Sequence, residues 1–147
     1  MKYFEDMKIG DKMITRGKTV TDAMITIIVG LAGYTEPFFH DEEYAKKTPF
    51  GTRIAPGLIA LLVAGGLSEQ AGYFEGSSIT MMGMNNIKFM APLKAGDTLH
   101  VEMELIDKKE TSKPDRGLTW DRKNCINQRG EVVAQVDCIH LVKRRPK

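Results

Sequence analysis

Between Pro37 and Gly57 the chain reads PFFHDEEYAKKTPFGTRIAPG, and this stretch concentrates the residues able to do chemistry. Its far end opens a long apolar helix, and a helix N-terminus presents unpaired backbone N–H groups and a partial positive charge. Gly57, at that opening, can aim its N–H at a polarised carbonyl or a developing oxyanion. Upstream stand a carboxylate and an imidazole, Glu36 and His40, a pairing suited to acid–base transfer. In extended chain a shift of one residue reverses a side chain's direction. His40 therefore points outward by default, a surface histidine beside Asp41, and inward only if the segment bulges by one residue. Gly57 also has a second reading, a residue kept small so that a neighbour can pack closely.

The elements that must hold these residues follow from periodicity. A short extended piece, Tyr3 to Ile9, and a Gly10-Asp11 turn precede a strand near Lys12 to Val20. Thr19 or Thr21 can cap a helix whose apolar positions Met24, Ile27, Ile28, Leu31 and Ala32 repeat at helical spacing, with Gly33 closing it. Asp41 can cap a short second helix, with Glu42 and Glu43 in its first turn and Lys46 and Lys47 in its last, matching the helix dipole. Pro56 fits the first turn of a third helix reaching about Gly72. That helix is apolar on nearly every face until Ser68, so other structure should wrap it. Gly65-Gly66 would let a neighbouring backbone approach.

After Gly76 the period becomes two. Ile79, Met81, Gly83, Asn85, Ile87 and Phe89 form one alternating set, and Leu99, Val101, Met103 and Leu105 another. Leu118, Trp120 and Ile126 mark a third strand. Val132, Ala134, Val136 and Cys138 give a face of a fourth, joined to it by an Asn127-Gln128-Arg129-Gly130 hairpin. The order of elements predicts an α+β fold, an antiparallel sheet curved round one long helix. A lone copy would bury that helix poorly and leave a free edge at the Met-rich strand, so a homodimer or a dimer of dimers is expected. His100 should face solvent, and His140, sharing the parity of Cys138, should be partly buried.

Composition sets the outer bounds. A chain of 147 residues suits one domain, 1–147, and 42% hydrophobic with 27% charged residues is ordinary for a globular protein. The net charge of +2 comes largely from the closing Lys143-Arg144-Arg145-Pro146-Lys147, read as a solvated end, so no nucleic-acid partner is expected. No signal peptide or membrane-spanning stretch is visible, and Cys125 and Cys138 read as reduced, buried thiols that are not cross-strand partners. A cytoplasmic location is expected. The scattered histidines and strand cysteines imply no metal and no cofactor.

Asp41, Glu43, Tyr44, Ala45, Thr48, Phe50 and Gly51, ahead of Ile54-Ala55-Pro56-Gly57, resemble the signature of the MaoC-like dehydratases, which include the (R)-specific enoyl-CoA hydratases. Tyr3-Phe4-Glu5-Asp6 with Ile9-Gly10-Asp11, then Thr19-Val20-Thr21, Phe89, Pro92, Gly96-Asp97-Thr98, Asn127-Gln128, Gly130-Glu131-Val132-Val133 and Arg144-Arg145 extend the likeness over almost the whole chain. The resemblance implies a hotdog fold and an acyl-CoA or acyl-carrier thioester as substrate. Active members carry an Asp and a His five residues apart in a D-x-N-P-x-H-x-D loop. Here Tyr34 stands at the Asp position, Glu36 at the Asn, Phe39 at the His, and Pro56 where a His often precedes the helix glycine. Neither a phenol titrating near 10 nor a phenyl ring shuttles protons at neutral pH.

Three functions remain open on these residues. One is a hydratase or dehydratase using an altered pair, His40 with Glu36. Another is a non-catalytic thioester-binding subunit, including one paired with a catalytic paralogue in a heterodimer. The third is a thioesterase, with Glu36, Asp41 or Glu69 activating water. In each, Tyr34, Phe38, Phe39, Pro56 and Gly57 would line the substrate slot.

Overall fold

The computed structural model describes residues 1–146. The expected extended piece at the N-terminus is instead a single 3-10 turn, Phe4–Asp6, because the Asp6 carboxylate accepts the Tyr3 N–H at 3.0 Å and closes the chain on itself. Two short strands follow, β1 (Lys12–Ile14) and β2 (Lys18–Thr19), where one was expected. Helix α1 (Asp22–Ala32) starts at Thr21, whose hydroxyl accepts the Met24 N–H, and ends at Gly33 with φ +75°. Two helical turns come next, α2 (Pro37–His40) and α3 (Glu42–Ala45), then the long α4 (Leu58–Ala71). Four long strands complete the chain: β3 (Ser78–Phe89), β4 (Thr98–Glu110), β5 (Arg116–Ile126) and β6 (Val132–Lys143).

The strands make one antiparallel sheet in the order β1-β4-β5-β6-β3, with β2 also on β4. Leu99, Val101, Met103 and Leu105 are buried, Leu99 and Val101 in the core around α4 and Leu105 against Phe4, Met7 and Val142, while His100 is half-exposed on the other parity. Cys125 lies opposite Ala134, and both cysteines are free and buried. The α+β hotdog arrangement is therefore present: a sheet wrapped on a central helix.

Helix α4 contributes Ile59, Ala60, Leu61, Val63, Ala64 and Leu67 to the core. Each larger one is worth about 1.5–3 kcal/mol of burial. Enclosure is incomplete. Leu58 and Leu62, four apart, are 56% and 62% exposed, and a Cβ on Gly65 or Gly66 would meet nothing within 4 Å. One sheet covers only one side of a helix, so an apolar stripe stays open and no backbone approaches the glycines.

The basic tail is anchored, not merely solvated. Arg144 pairs with Glu5 at 2.8 Å and Glu110 at 3.1 Å, and Arg145 grips both Asp6 oxygens at 2.7 and 2.8 Å. Lys147 lies outside the described residues. Within them, no helix is long and apolar enough to cross a membrane.

Candidate functional site

The segment before α4 is helical where extended chain was the sequence-based default. Pro37 takes the first position of α2, where its missing N–H leaves nothing unpaired. The turn gathers Tyr34, Phe38 and Phe39 into one aromatic group: ring centroids lie 5.3 Å apart for Tyr34–Phe39 and 4.5 Å for Phe38–Phe39, both edge to face. Tyr34 and Phe39 pack against the main core. Glu36 and His40, four residues apart, both stay exposed. The His40 ring turns back, its Nε2 at 2.5 Å from the Tyr34 carbonyl oxygen, and Glu36 caps no N–H. The structure thus joins His40 to the loop backbone rather than to Glu36.

Asp41 caps α3 as expected, accepting the Tyr44 N–H at 3.0 Å. Glu42 then staples the returning chain, accepting from the Thr52 hydroxyl at 2.7 Å and from Arg53 at 3.2 Å through both backbone N–H and Nε. These donors, the Thr52 hydroxyl first, hold the Glu42 carboxyl below its usual range. Ile54 N–H donates to the Phe38 carbonyl and Ala55 N–H to Leu93, which sets the start of α4 beside the aromatic group.

Pro56 is buried and Gly57 is the cap residue of α4, already in helical conformation. A Cβ at Gly57 would sit 2.6–2.9 Å from the Phe89 ring, so any side chain there would have to displace the ring. No side chain caps this end, and among the described residues the Gly57 N–H reaches no backbone carbonyl. That N–H is therefore unpaired among the described residues. A hollow of only ≈ 60 Å³ borders Phe39, Ile54 and Arg53.

A much larger cavity, ≈ 840 Å³, lies further along, between the second half of α4 and strands β3, β5 and β6. Leu61, Ala64, Met81, Met84 and Val136 supply apolar wall, and Ser68, Lys123, Cys138 and His140 polar wall. The loop residues and Gly57 do not line it. On β5 the buried parity is Thr119, Asp121, Lys123 and Cys125, with Leu118 and Trp120 only half-covered on the other. Asp121 is fully buried; its oxygens lie 3.0 Å from Lys123 Nζ and 3.1 Å from His140 Nε2. These distances suit charge attraction, yet both Asp121 oxygens, both His140 nitrogens, Thr119 Oγ1 and Ser68 Oγ lack a hydrogen-bond partner. Phe74 stacks on the His140 ring at 4.5 Å. His140 is partly buried, as its parity predicted.

Sequence reading missed this group because Leu118 and Trp120 drew attention to the wrong face of β5. The usable signal was the period-two set Thr119, Asp121, Lys123, Cys125 with His140 and Cys138 on the next strand. Ligand atoms of Asp121, Cys138 and His140 lie within 4.8 Å of one another, a donor set that suits zinc. Lys123 already supplies a cation there, 3.0 Å from Asp121. Burial pushes the Cys138 thiol up, and that of Cys125 up to about 11.

A family profile described as MaoC like domain matches residues 5–121. An (R)-specific enoyl-CoA hydratase of Rhodospirillum rubrum is 34% identical over 99 residues, 67% of this chain and 66% of that protein. Protein MaoC of Klebsiella aerogenes is 34% identical over 115 residues, 78% of this chain but 33% of its own length. The chain thus spans from a third to just under two thirds of these relatives. Among solved structures, a protein of Archaeoglobus described as a monoamine oxidase regulatory protein superposes with a TM-score of 0.90 at 32% identity, covering 99% of this chain and 96% of that one. The profile runs through the loop, the aromatic group and the opening of α4, and the chain belongs to the MaoC-like domain family.

Proposed function

We propose that this protein binds an acyl thioester of CoA or of an acyl carrier and acts on it as a hydratase or dehydratase. The observation that carries the reading is the uncapped start of α4 at Pro56-Gly57, set beside Tyr34, Phe38 and Phe39 within the family-matched segment. A backbone donor at a helix N-terminus stabilises the negative charge that gathers on a thioester oxygen as water adds. The relative named as an (R)-specific enoyl-CoA hydratase supports the choice of reaction. Within the loop, His40 and Glu36 are the side chains able to move a proton. Both are exposed, so they act only if the loop turns them toward bound substrate. No cofactor is required by this chemistry.

A second reading, a non-catalytic thioester-binding subunit, is favoured by one observation: Tyr34 and Phe39, which the resemblance puts at the positions of the proton-transfer pair, are packed against each other as aromatic rings. Following enoyl absorbance and free thiol together on crotonyl-CoA separates the alternatives. Loss of enoyl absorbance that disappears in His40→Ala supports the loop pair. Thermal stabilisation by crotonyl-CoA without turnover supports the binding subunit. Thiol release without hydration identifies a thioesterase and overturns both.

A further inference from the structure

Resting on the thioester reading, we infer that the acyl chain this protein accepts ends in an oxygen-bearing, hydrogen-bonding group rather than a plain methyl, and that Ser68, Lys123 and His140 receive that end in the ≈ 840 Å³ cavity. The path is laid out along α4. From Gly57 the exposed apolar stripe passes Leu58 and Leu62 to Gly65, where an added methyl would meet nothing within 4 Å, and Gly65 itself borders the cavity. At 1.5 Å per residue, Ser68 stands roughly 16 Å along the axis from Gly57, a span suited to a medium-length acyl chain.

The far wall is the wrong surface for hydrocarbon. Ser68 Oγ and both His140 nitrogens are buried and make no aligned hydrogen bond, His140 Nε2 lying 3.1 Å from the fully buried Asp121 carboxylate. Buried polar atoms in folded proteins are nearly always satisfied, so unpaired groups on residues that line a cavity call for a partner that reaches them. An alkyl end would seal these atoms away from water and leave them unpaired. A hydroxyl or carboxylate would pair them. Lys123 lies 3.0 Å from Asp121, and an ammonium carries three donors, so donors remain for the ligand. Asp121 sets the limit: it balances Lys123, and an incoming carboxylate also needs a proton on His140, whereas a hydroxyl does not.

The test is titration calorimetry on the full chain with decanoyl-CoA and dodecanoyl-CoA, each against its ω-hydroxy and ω-carboxy counterpart. The expected result is at least tenfold tighter binding of an oxygenated probe than of the matched alkyl probe, since each unpaired buried group weakens binding by roughly that factor. The two oxygenated arms identify which end is preferred. Ser68→Ala should reduce the preference severalfold, and Ser68→Ala with His140→Phe should remove it, with alkyl binding kept as evidence of an intact fold. Equal affinity for alkyl and oxygenated probes overturns this inference while leaving thioester binding intact. A preference that survives the double variant overturns it as well. Absence of binding by every thioester overturns both this inference and the reading on which it rests.

Discussion

The rings of Tyr34 and Phe39 meet edge to face with centroids 5.3 Å apart, at the two positions where the resemblance to the MaoC-like dehydratases implies a carboxylate and an imidazole. Both rings also touch the core. Tyr34→Asp with Phe39→His therefore has two separable effects. It restores groups able to move protons, and it removes aromatic packing worth about 2 kcal/mol or more. The expected outcome is a lower melting temperature together with new or increased hydration of crotonyl-CoA. A folded double variant that binds crotonyl-CoA but shows no rise in hydration would mean that the loop does not present these positions to substrate.

The Phe89 ring lies over Gly57 at the start of α4. An added methyl at 2.6 Å from the ring has to push it aside, although Phe89 is half-exposed and can give way. Gly57→Ala should cost about 1–2 kcal/mol in urea unfolding. Phe89→Ala in the same chain should recover most of it, because Cγ, Cδ1 and Cε1, the atoms nearest the added methyl, go with the side chain. Additive losses in the double-mutant cycle would show that the ring is not what excludes the methyl.

The sheet and the long helix were legible because hydrophobic alternation and helical spacing report burial directly. Thr21, Asp41, Gly33 and Gly130 took the capping and turn roles their chemistry suggested. The N-terminal turn was not legible, since it depends on one Asp6 carboxylate folding back onto the Tyr3 N–H. His40 is exposed, as its default reading had it, but for a different reason: α2 replaces alternation with a helical turn, and the ring folds back onto the Tyr34 carbonyl. The Asp121, Lys123 and His140 group escaped for a related reason. Charged residues on a strand are normally solvent-facing, and only the register with β6 and the cover of α4 and Phe74 reveal that this set points inward.

Asp137 supplies a pH dependence. The Arg122 guanidinium donates to its two oxygens at 2.7 and 2.9 Å, and Asn86 Nδ2 adds a third bond at 2.8 Å. These contacts, Arg122 first, hold the carboxyl below its usual range despite burial. A carboxylate with a depressed folded-state pKa contributes fully above the unfolded value of about 3.9 and loses that contribution as pH falls through the folded one. Acid unfolding should therefore steepen below about pH 4. Asp137→Asn should lower stability by about 1–3 kcal/mol at neutral pH and flatten that acid limb. An unchanged acid limb in the variant would assign the pH dependence to other carboxylates.

Strand β3 pairs on one side only, with β6, and its free side lies in a surface where Met81, Met82, Met84, Ile87, Phe89 and Met90 are all 38–58% exposed. Together with the open Leu58–Leu62 stripe of α4, this is more exposed apolar surface than an isolated domain of this size ordinarily carries. A second copy joining β3 to β3 would continue the sheet and cover both features, leaving no unpaired edge there. Sedimentation of the wild type should give a dimer. Met81→Asp with Met84→Asp should shift it to monomer at micromolar concentration, since like charges would face one another across the twofold axis. A wild type that sediments as a monomer would remove the reason for these exposed methionines, and the α4 stripe would then need a different cover.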